Sequence, residues 1–288
     1  MVSSQFERGF GWGLIKEGRI SGFRRRALKV GLALLLVFAA AFIALPVASL
    51  FIKSASGVTL ETLWNPVVID ALTLSLFTAT TSVVIVIILG TPLSYLNARF
   101  DYPGKEIADS LIELPVVMPP MVGGIALLMA FGRMGVLGQH LHACGVNIAF
   151  TTVAVVVAQI FVSMPFYLRQ ARISFEDVDL VLENAARTLG ASRTRVFFSV
   201  TLPIATNGLI SGAIMAFARA LGEFGATIMF AGNFQGKTQT MPLAIYTAMQ
   251  GDLDVSLCLA LILVAISFAI IAAVKMLTRR MYKSDVRD

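Results

Sequence analysis

Read for charge alone, the chain is a series of long apolar runs cut by short charged segments. Val30 to Ile52 holds no Asp, Glu, Lys or Arg and lies between Lys29 and Lys53, and Ala71 to Ala98 lies between Asp70 and Arg99. Leu114 to Gly132, Phe150 to Leu168, Val196 to Ala218 and Val255 to Val274 follow in the same manner. A hydrocarbon layer about 30 Å thick takes roughly 20 apolar residues to cross as a helix, because each backbone N–H and C=O must find its partner inside the helix. The pattern predicts an all-α polytopic membrane protein with six transmembrane helices, at about 30–52, 71–98, 110–133, 150–170, 196–230 and 255–275. The fifth is carried past a charged pair to about Phe230. Residues 1–29 and 278–288 are left as segments outside the layer, flanking one membrane domain at 30–277. The first run exceeds the roughly 7 to 15 apolar residues of a secretory signal and reads as a retained span.

Composition agrees: of 288 residues, 57% are hydrophobic and 14% charged, against about 25% charged in a soluble domain. The net charge of +6 raises nucleic acid as a partner, but the placement of the charges answers it. Arg and Lys crowd the segment before the first span (Arg24, Arg25, Arg26, Lys29 among them), the loops around Arg99–Lys105 and Arg169–Arg195, and the tail after Val274. The alternate loops receive only Lys53, Arg133 and Lys237, and Arg219 falls inside a span. Basic residues concentrate on the cytoplasmic side, so both termini are expected in the cytoplasm, and no nucleic acid is needed to explain the charge. Cys144 and Cys258 are too few for a disulfide framework. His140 and His142 share a loop with no second ligand set, so no metal site is expected.

Two spans break the rules of a simple helix. The third contains LPVVMPPMVGG, with Pro115, Pro119, Pro120, Gly123 and Gly124 close together around Met118. Each proline removes a donor and crowds the carbonyl four residues earlier, so this span is predicted to be kinked or broken. Irregular backbone at membrane depth survives where it is buried in protein or lines a wet cavity. The fifth carries Arg219 and Glu223 four residues apart, expected on one helical face and paired, because a lone ion in hydrocarbon is costly. Phe224, Gly225, Ala226 and Thr227 follow, small enough for close helix approach and with one hydroxyl. Pro115, Met118, Pro119, Pro120, Gly123, Arg219, Glu223, Phe224, Gly225 and Thr227 are the candidate pathway or gate positions, with packing and an interhelical salt bridge as the plainer readings. Glu113 stands at the edge of the third span.

Between the fourth and fifth spans, Val178, Leu182, Ala185, Ala186 and Leu189 recur at helical spacing. Ser174 with Asp177 reads as a capping-box start and Gly190 suits the helix end. A short amphipathic helix at about 177–190, off the membrane, is predicted. Its apolar stripe needs a cover, either the neighbouring spans or a partner.

That segment resembles the EAA loop of bacterial and archaeal ABC importer permeases: Glu-Ala-Ala, three residues, Gly, nine residues, Ile-x-Leu-Pro. Ala185 and Ala186 precede Gly190 at the right distance, and Val200, Thr201, Leu202 and Pro203 close the pattern. Asn184 occupies the usual glutamate position, with Glu183 just before it. Residues 90–105, 114–138 and 217–232 are similar to the molybdate, tungstate and sulfate branch of those permeases. The resemblance implies a type I ABC importer permease (MetI-like) fold in a prokaryotic plasma membrane. It further implies pairing of two copies around a central pathway, two cytoplasmic ABC ATPase subunits and an extracytoplasmic oxyanion-binding protein. On that basis 177–190 is a coupling helix, with Asp177, Leu182, Glu183, Asn184, Ala185, Ala186, Arg187, Thr188, Leu189, Gly190 and Pro203 as coupling positions.

No Gly, four residues, Gly-Lys, Ser/Thr motif occurs in the sequence, so ATP and Mg are expected in the partner ATPase and no cofactor in this chain. The chain is read as a transport subunit, not an enzyme, carrying molybdate or tungstate by alternating access. Sulfate or another oxyanion is the alternative cargo. A stand-alone secondary transporter would show an internal repeat or coupling-ion carboxylates, neither of which is evident, and an intramembrane enzyme would need a reactive constellation that is not evident either.

Overall fold

A computed structural model describes residues 22–54 and 57–285, with side chains described from 29 to 272. Residues 1–21 of the segment read as preceding the first span, and the last three residues of the tail, lie outside the described residues. The first helix, α1 (Gly22–Ser54), is a unit by itself. Residues 57–285 form the second unit, helices joined by loops with no strand among the described residues: α2 (Leu60–Leu63), α3 (Pro66–Arg99), α4 (Lys105–Val117), α5 (Pro120–Phe131), α6 (Gly138–Ala143) and α7 (Thr152–Glu176), then α8 (Leu180–Thr188) and α9 (Arg193–Val196). A π-helical turn (Phe197–Thr201) leads into α10 (Leu202–Leu221), followed by α11 (Gly225–Ala231), α12 (Met241–Ala248) and α13 (Leu253–Asp285). Helices α1, α3, α7, the α9–α10 stretch and α13 are long and apolar enough to cross a bilayer, and α4 with α5 makes a sixth crossing if the bent pair is one span.

The centre of the second unit is the pair α3 and α7. Helix α3 starts where Asn65 Oδ1 accepts the Val67 N–H at 2.9 Å and Pro66 takes the first turn, a position where its missing donor costs nothing. Its buried face is small or weakly polar: Ala71, Ser75, Ala79, Ser82, Gly90 and Ser94. Small residues let two backbones approach, and hydroxyls then bond across the seam. Ser82 Oγ donates to the Val156 carbonyl (3.2 Å), Ser94 Oγ to the Leu168 carbonyl (3.2 Å), and the Thr91 and Tyr167 hydroxyls meet at 2.6 Å. At Gly90 an added Cβ would lie 2.8 Å from the Tyr167 ring. Tyr167, Phe175, Val86, Ala205 and Ala216 fill the core between α3, α7 and α10. Leu127, Val155, Ala226 and Phe230 form a second cluster, and Val68, Met241 and Leu259 centre a third.

One sequence expectation is met and two are corrected. The third span is two helices with a bend of 118° between them, because Met118 leaves the helix into extended backbone and Pro119 and Pro120 cannot donate to continue it. The fifth does not run unbroken to Phe230: α10 ends at Leu221 and α11 begins at Gly225. The amphipathic helix is shorter than 177–190, since α7 runs on to Glu176 with Asp177 as its C-terminal cap. Ser174 lies inside α7 and caps nothing. Asp179 is the true N-cap of α8, its carboxylate accepting the Val181 N–H at 2.8 Å.

Candidate functional site

Helix α8 is closed at both ends by local chemistry. Beyond its C-terminus Gly190 takes φ +88°, a left-handed conformation that glycine adopts without a Cβ penalty. There Gly190 N–H bonds the Arg187 carbonyl (2.9 Å) and Ala191 N–H the Ala186 carbonyl (3.1 Å), the two bonds of a Schellman cap. A nine-residue helix is too short to hold itself in water, so its anchoring must come from elsewhere. One side chain supplies it. Glu183 is 1% exposed, and its Oε1 accepts from Arg99 Nη2 (2.8 Å), Arg99 Nε (3.2 Å) and the Thr201 hydroxyl (2.9 Å). Arg187 approaches the other carboxylate oxygen at 3.6 Å, and Arg99 Nη2 also donates to the Val178 carbonyl at 2.9 Å. A buried carboxylate with charge-assisted donors on several sides is fixed in direction. Helix α8 is thereby bolted to the end of α3 and to the π turn. Asn184, in contrast, is exposed, so the carboxylate beside it is the one engaged with the protein.

The other face of α8 is uncovered. Leu182 is 48% and Leu189 89% exposed, and Asn184, Ala185, Thr188 and Gly190 are exposed too. Ala186 is half-buried and Val178, before the helix, is buried. Cover of the whole stripe by the chain's own spans is therefore corrected: only its Val178 end packs inward. Pro203, in the first turn of α10, starts the helix that the π turn feeds.

The breaks in the third and fifth spans meet. A Cβ on Gly225 would lie 2.8 Å from Pro120 Cβ, and one on Gly124 would lie 2.7 Å from the Ala226 carbonyl oxygen and from Met229 Cβ. Gly123 faces Phe161 in the same way, at 3.0 Å. Only glycine allows α5 and α11 this approach. Glu223 sits in the break itself, so it and Arg219 are not on one continuous helix, as the four-residue spacing predicted. They pair nonetheless, Arg219 Nη1 to Glu223 Oε2 at 2.6 Å, with Glu223 1% and Arg219 28% exposed. The other oxygen of Glu223 accepts the Ala226 N–H at 2.7 Å, satisfying a free donor at the start of α11. Thr227, one residue on, is fully buried, with no hydrogen-bond partner for its hydroxyl among the described residues. Phe224 packs edge-on to Tyr246 with ring centres 5.5 Å apart. Pro119 and Pro120 are exposed, as are Met121, Val122, Ile125 and Met129 along one edge of α5, and Pro115 and Met118 are half-buried.

Residues that local sequence gave no reason to choose complete the picture. Asp109 on α4 accepts from Asn97 Nδ2 (2.8 Å) and from Arg172 Nη1 (2.7 Å), and Arg172 also bonds Glu176 at 2.8 Å. Glu113 pairs with Arg169 at 2.8 Å instead of standing alone at an edge. These contacts clamp α4 to α7 around a cavity of about 210 Å³. His142 lies 3.0 Å from Arg133 Nε and 2.8 Å from Asn147. Among the described residues no three His, Cys, Asp or Glu side chains are grouped so as to hold a metal.

Residues 90–283 match the family described as binding-protein-dependent transport system inner membrane component. The probable transport system permease protein NifC of Clostridium pasteurianum is 37% identical over 264 residues, 91% of this chain and 92% of that protein. The molybdenum transport system permease protein ModB of Escherichia coli K12 is 42% identical over 204 residues, covering 70% and 89% of the two chains. The molybdate/tungstate transport system permease protein WtpB of Pyrococcus furiosus is 40% identical over 259 residues, covering 89% and 98%. Among solved structures, a chain of a bacterial ABC transporter that imports alginate superposes with a TM-score of 0.69 at 14% identity, covering 90% of this chain and 96% of that one. The MetNI methionine ABC transporter in an inward-facing form gives 0.56 at 18% identity, covering 77% and 98%. These two likenesses carry the fold.

Proposed function

We propose, for a chain that belongs to the family of binding-protein-dependent transport system inner membrane components, that it carries molybdate or tungstate into the cytoplasm. As a permease subunit of an ABC importer it has the type I permease fold, and the ATP hydrolysis of the complex resides in a separate subunit. The cargo is that of relatives 40 to 42% identical, ModB and WtpB. The α8 side faces the cytoplasm, where the basic residues gather and both termini lie. Two copies pair around the pathway, with the exposed α5 edge at Met121, Ile125 and Met129 turned toward it. Two ATPase subunits, which hold ATP and Mg, dock on the two α8 helices, and an oxyanion-binding protein delivers cargo from the opposite side.

The observation that carries the mechanism is the division of α8 into two faces. Leu182, Ala185 and Leu189 are free for a partner's groove while Glu183 is locked to Arg99 and Thr201. A push on the outer face is passed through that carboxylate into α3 and, through the π turn, into α10. ATP drives the exchange between inward and outward openings to the extent that it binds one of them better. At the α5–α11 junction, Glu223 cancels the charge of Arg219, so a dianion meets no free cation to trap it. Backbone N–H groups at the broken span offer weak contacts, suited to passage rather than storage, whereas the Thr227 hydroxyl, expected on the pathway, is buried away from it. Selectivity then rests mainly with the external binding protein.

The test is reconstitution of the chain with its ATPase and binding protein in vesicles. ATP-dependent molybdate uptake that excess sulfate does not suppress is expected. Uptake suppressed by sulfate reassigns the cargo within the family, and uptake without the ATPase overturns the coupling mechanism.

A further inference from the structure

Beside the Arg99–Glu183 bolt lies a cavity of about 580 Å³, open between the end of α3, α8 and the α9–π turn. Its inner wall is aromatic: Tyr95 and Phe197 meet edge-on with ring centres 4.8 Å apart, and Phe198 stands edge-on to Phe197 at 5.0 Å. Three arginines line it, Arg99, Arg187 and Arg193, against one acid, Glu183. Arg99 and Glu183 neutralise each other at 2.8 Å. Arg187 has only the longer 3.6 Å contact to that same, already paired carboxylate. Arg193 is exposed and makes no ion pair among the described residues. The mouth therefore holds positive charge in excess.

An exposed apolar track leads into it. Leu89, Leu93 and Leu96 are exposed, their spacing of four and three residues puts them on one face of α3, and Phe100, the exposed residue that caps the helix, follows them. This track climbs a helix long and apolar enough to cross a bilayer, and it ends at the arginines. Phe198, also exposed, flanks the same mouth.

We propose that this cavity binds an anionic phospholipid of the cytoplasmic leaflet, its phosphate between Arg187 and Arg193 and an acyl chain along Leu96, Leu93 and Leu89. The proposal rests on the orientation given above, which places α8 in the cytoplasm. Guanidinium forks match phosphate oxygens in pairs, and the inner leaflet supplies negative headgroups at the depth where a span ends. A free oxyanion would leave the aromatic wall and the track without purpose. A soluble protein segment cannot follow the track up a membrane-spanning helix. Because the site touches α3, α8 and the π turn together, a lipid seated there holds the joint between the coupling helix and the spans.

The test uses the full importer, permease with ATPase, purified in mild detergent and offered equal amounts of dioleoyl-phosphatidylglycerol and dioleoyl-phosphatidylcholine, with retained lipid read by native mass spectrometry. Wild type is expected to retain the glycerol lipid about fivefold over the choline lipid for each arginine engaged. Arg193→Ala should lose about fivefold of that preference while its ATPase rate in pure phosphatidylcholine nanodiscs stays at the wild-type level. Arg193→Lys should keep most of the preference, and Phe198→Ser should lower retention of both lipids. Equal retention of the two lipids by wild type overturns the proposal, as does a preference that Arg193→Ala leaves intact. Displacement of the lipid by millimolar inorganic phosphate would assign the cavity to a soluble oxyanion instead. The readout needs neither cargo nor sidedness, so its failure is distinct from failure of the transport reading or of the orientation.

Discussion

Glu183 and Asn184 show how one position of register separates a structural role from an exposed one. Replacing Glu183 by Ala leaves Arg99 buried without its counter-ion, and breaking a buried pair from one side costs about 3 kcal/mol or more. Glu183→Ala and Arg99→Ala are each expected to lower the thermal midpoint strongly, and the double variant to recover part of the loss, as a double-mutant cycle in detergent would read. Asn184→Glu, which restores the usual residue of the motif, should change stability by no more than about 0.5 kcal/mol, because the side chain is exposed. Glycine at the crossing gives a second contrast. Gly124→Ala sets a methyl 2.7 Å from the Ala226 carbonyl and should cost about 1 to 3 kcal/mol by forcing the helices apart. At Gly222 the nearest atom to an added Cβ is 3.6 Å away, so Gly222→Ala should be nearly neutral in the same unfolding assay.

Among the elements, the short helix α8 is the one whose two faces do different work. Leu189→Asp changes a side chain that is 89% exposed, so the permease should fold and purify as wild type. It should, however, fail to bring its ATPase through an affinity column; retention of the ATPase at the wild-type level would remove the docking face from α8. The long spans were legible because hydrocarbon demands an uninterrupted apolar run, and such a run is visible in one dimension. The end of α8 was legible for a similar reason, since Gly190 and the two bonds around it form a local motif. Its beginning was not: Ser174 and Asp177 have the right spacing for a cap, but α7 continues through Ser174 to Glu176, carrying Phe175 into the core, and Asp177 caps its C-terminus. The prolines at 119 and 120 announced a break in the third span without giving its angle. The break at Gly222 was missed because Gly-Glu-Phe is compatible with a helix, and only the crossing with α5 rewards leaving one.

For the molecule as a whole, contacts between distant parts of the sequence carry what no local pattern announced. Arg99 meets Glu183 across 84 residues, and Arg172 meets Asp109 across 63; each looks like an ordinary interfacial charge until the helices assemble. The orientation has a native reporter. Cys144 is exposed after α6 and Cys258 is buried in α13. In cells, a membrane-impermeant maleimide is expected to label Cys144 from outside, and a Cys144→Ser variant should stay unlabelled. Labelling of Cys144 only after the membrane is opened would invert the topology and with it the side on which α8 works.

The π turn at Phe197–Thr201 closes with the Leu202 N–H on the Phe197 carbonyl, five residues back, so it holds one residue more than the α-helical turn it interrupts. One residue is about 100° of rotation. The phase of α9, and of α8 before it, is thus set by a single surplus residue. Excising Ser199 would straighten the spiral and swing Glu183 away from Arg99, without altering any group that bears charge.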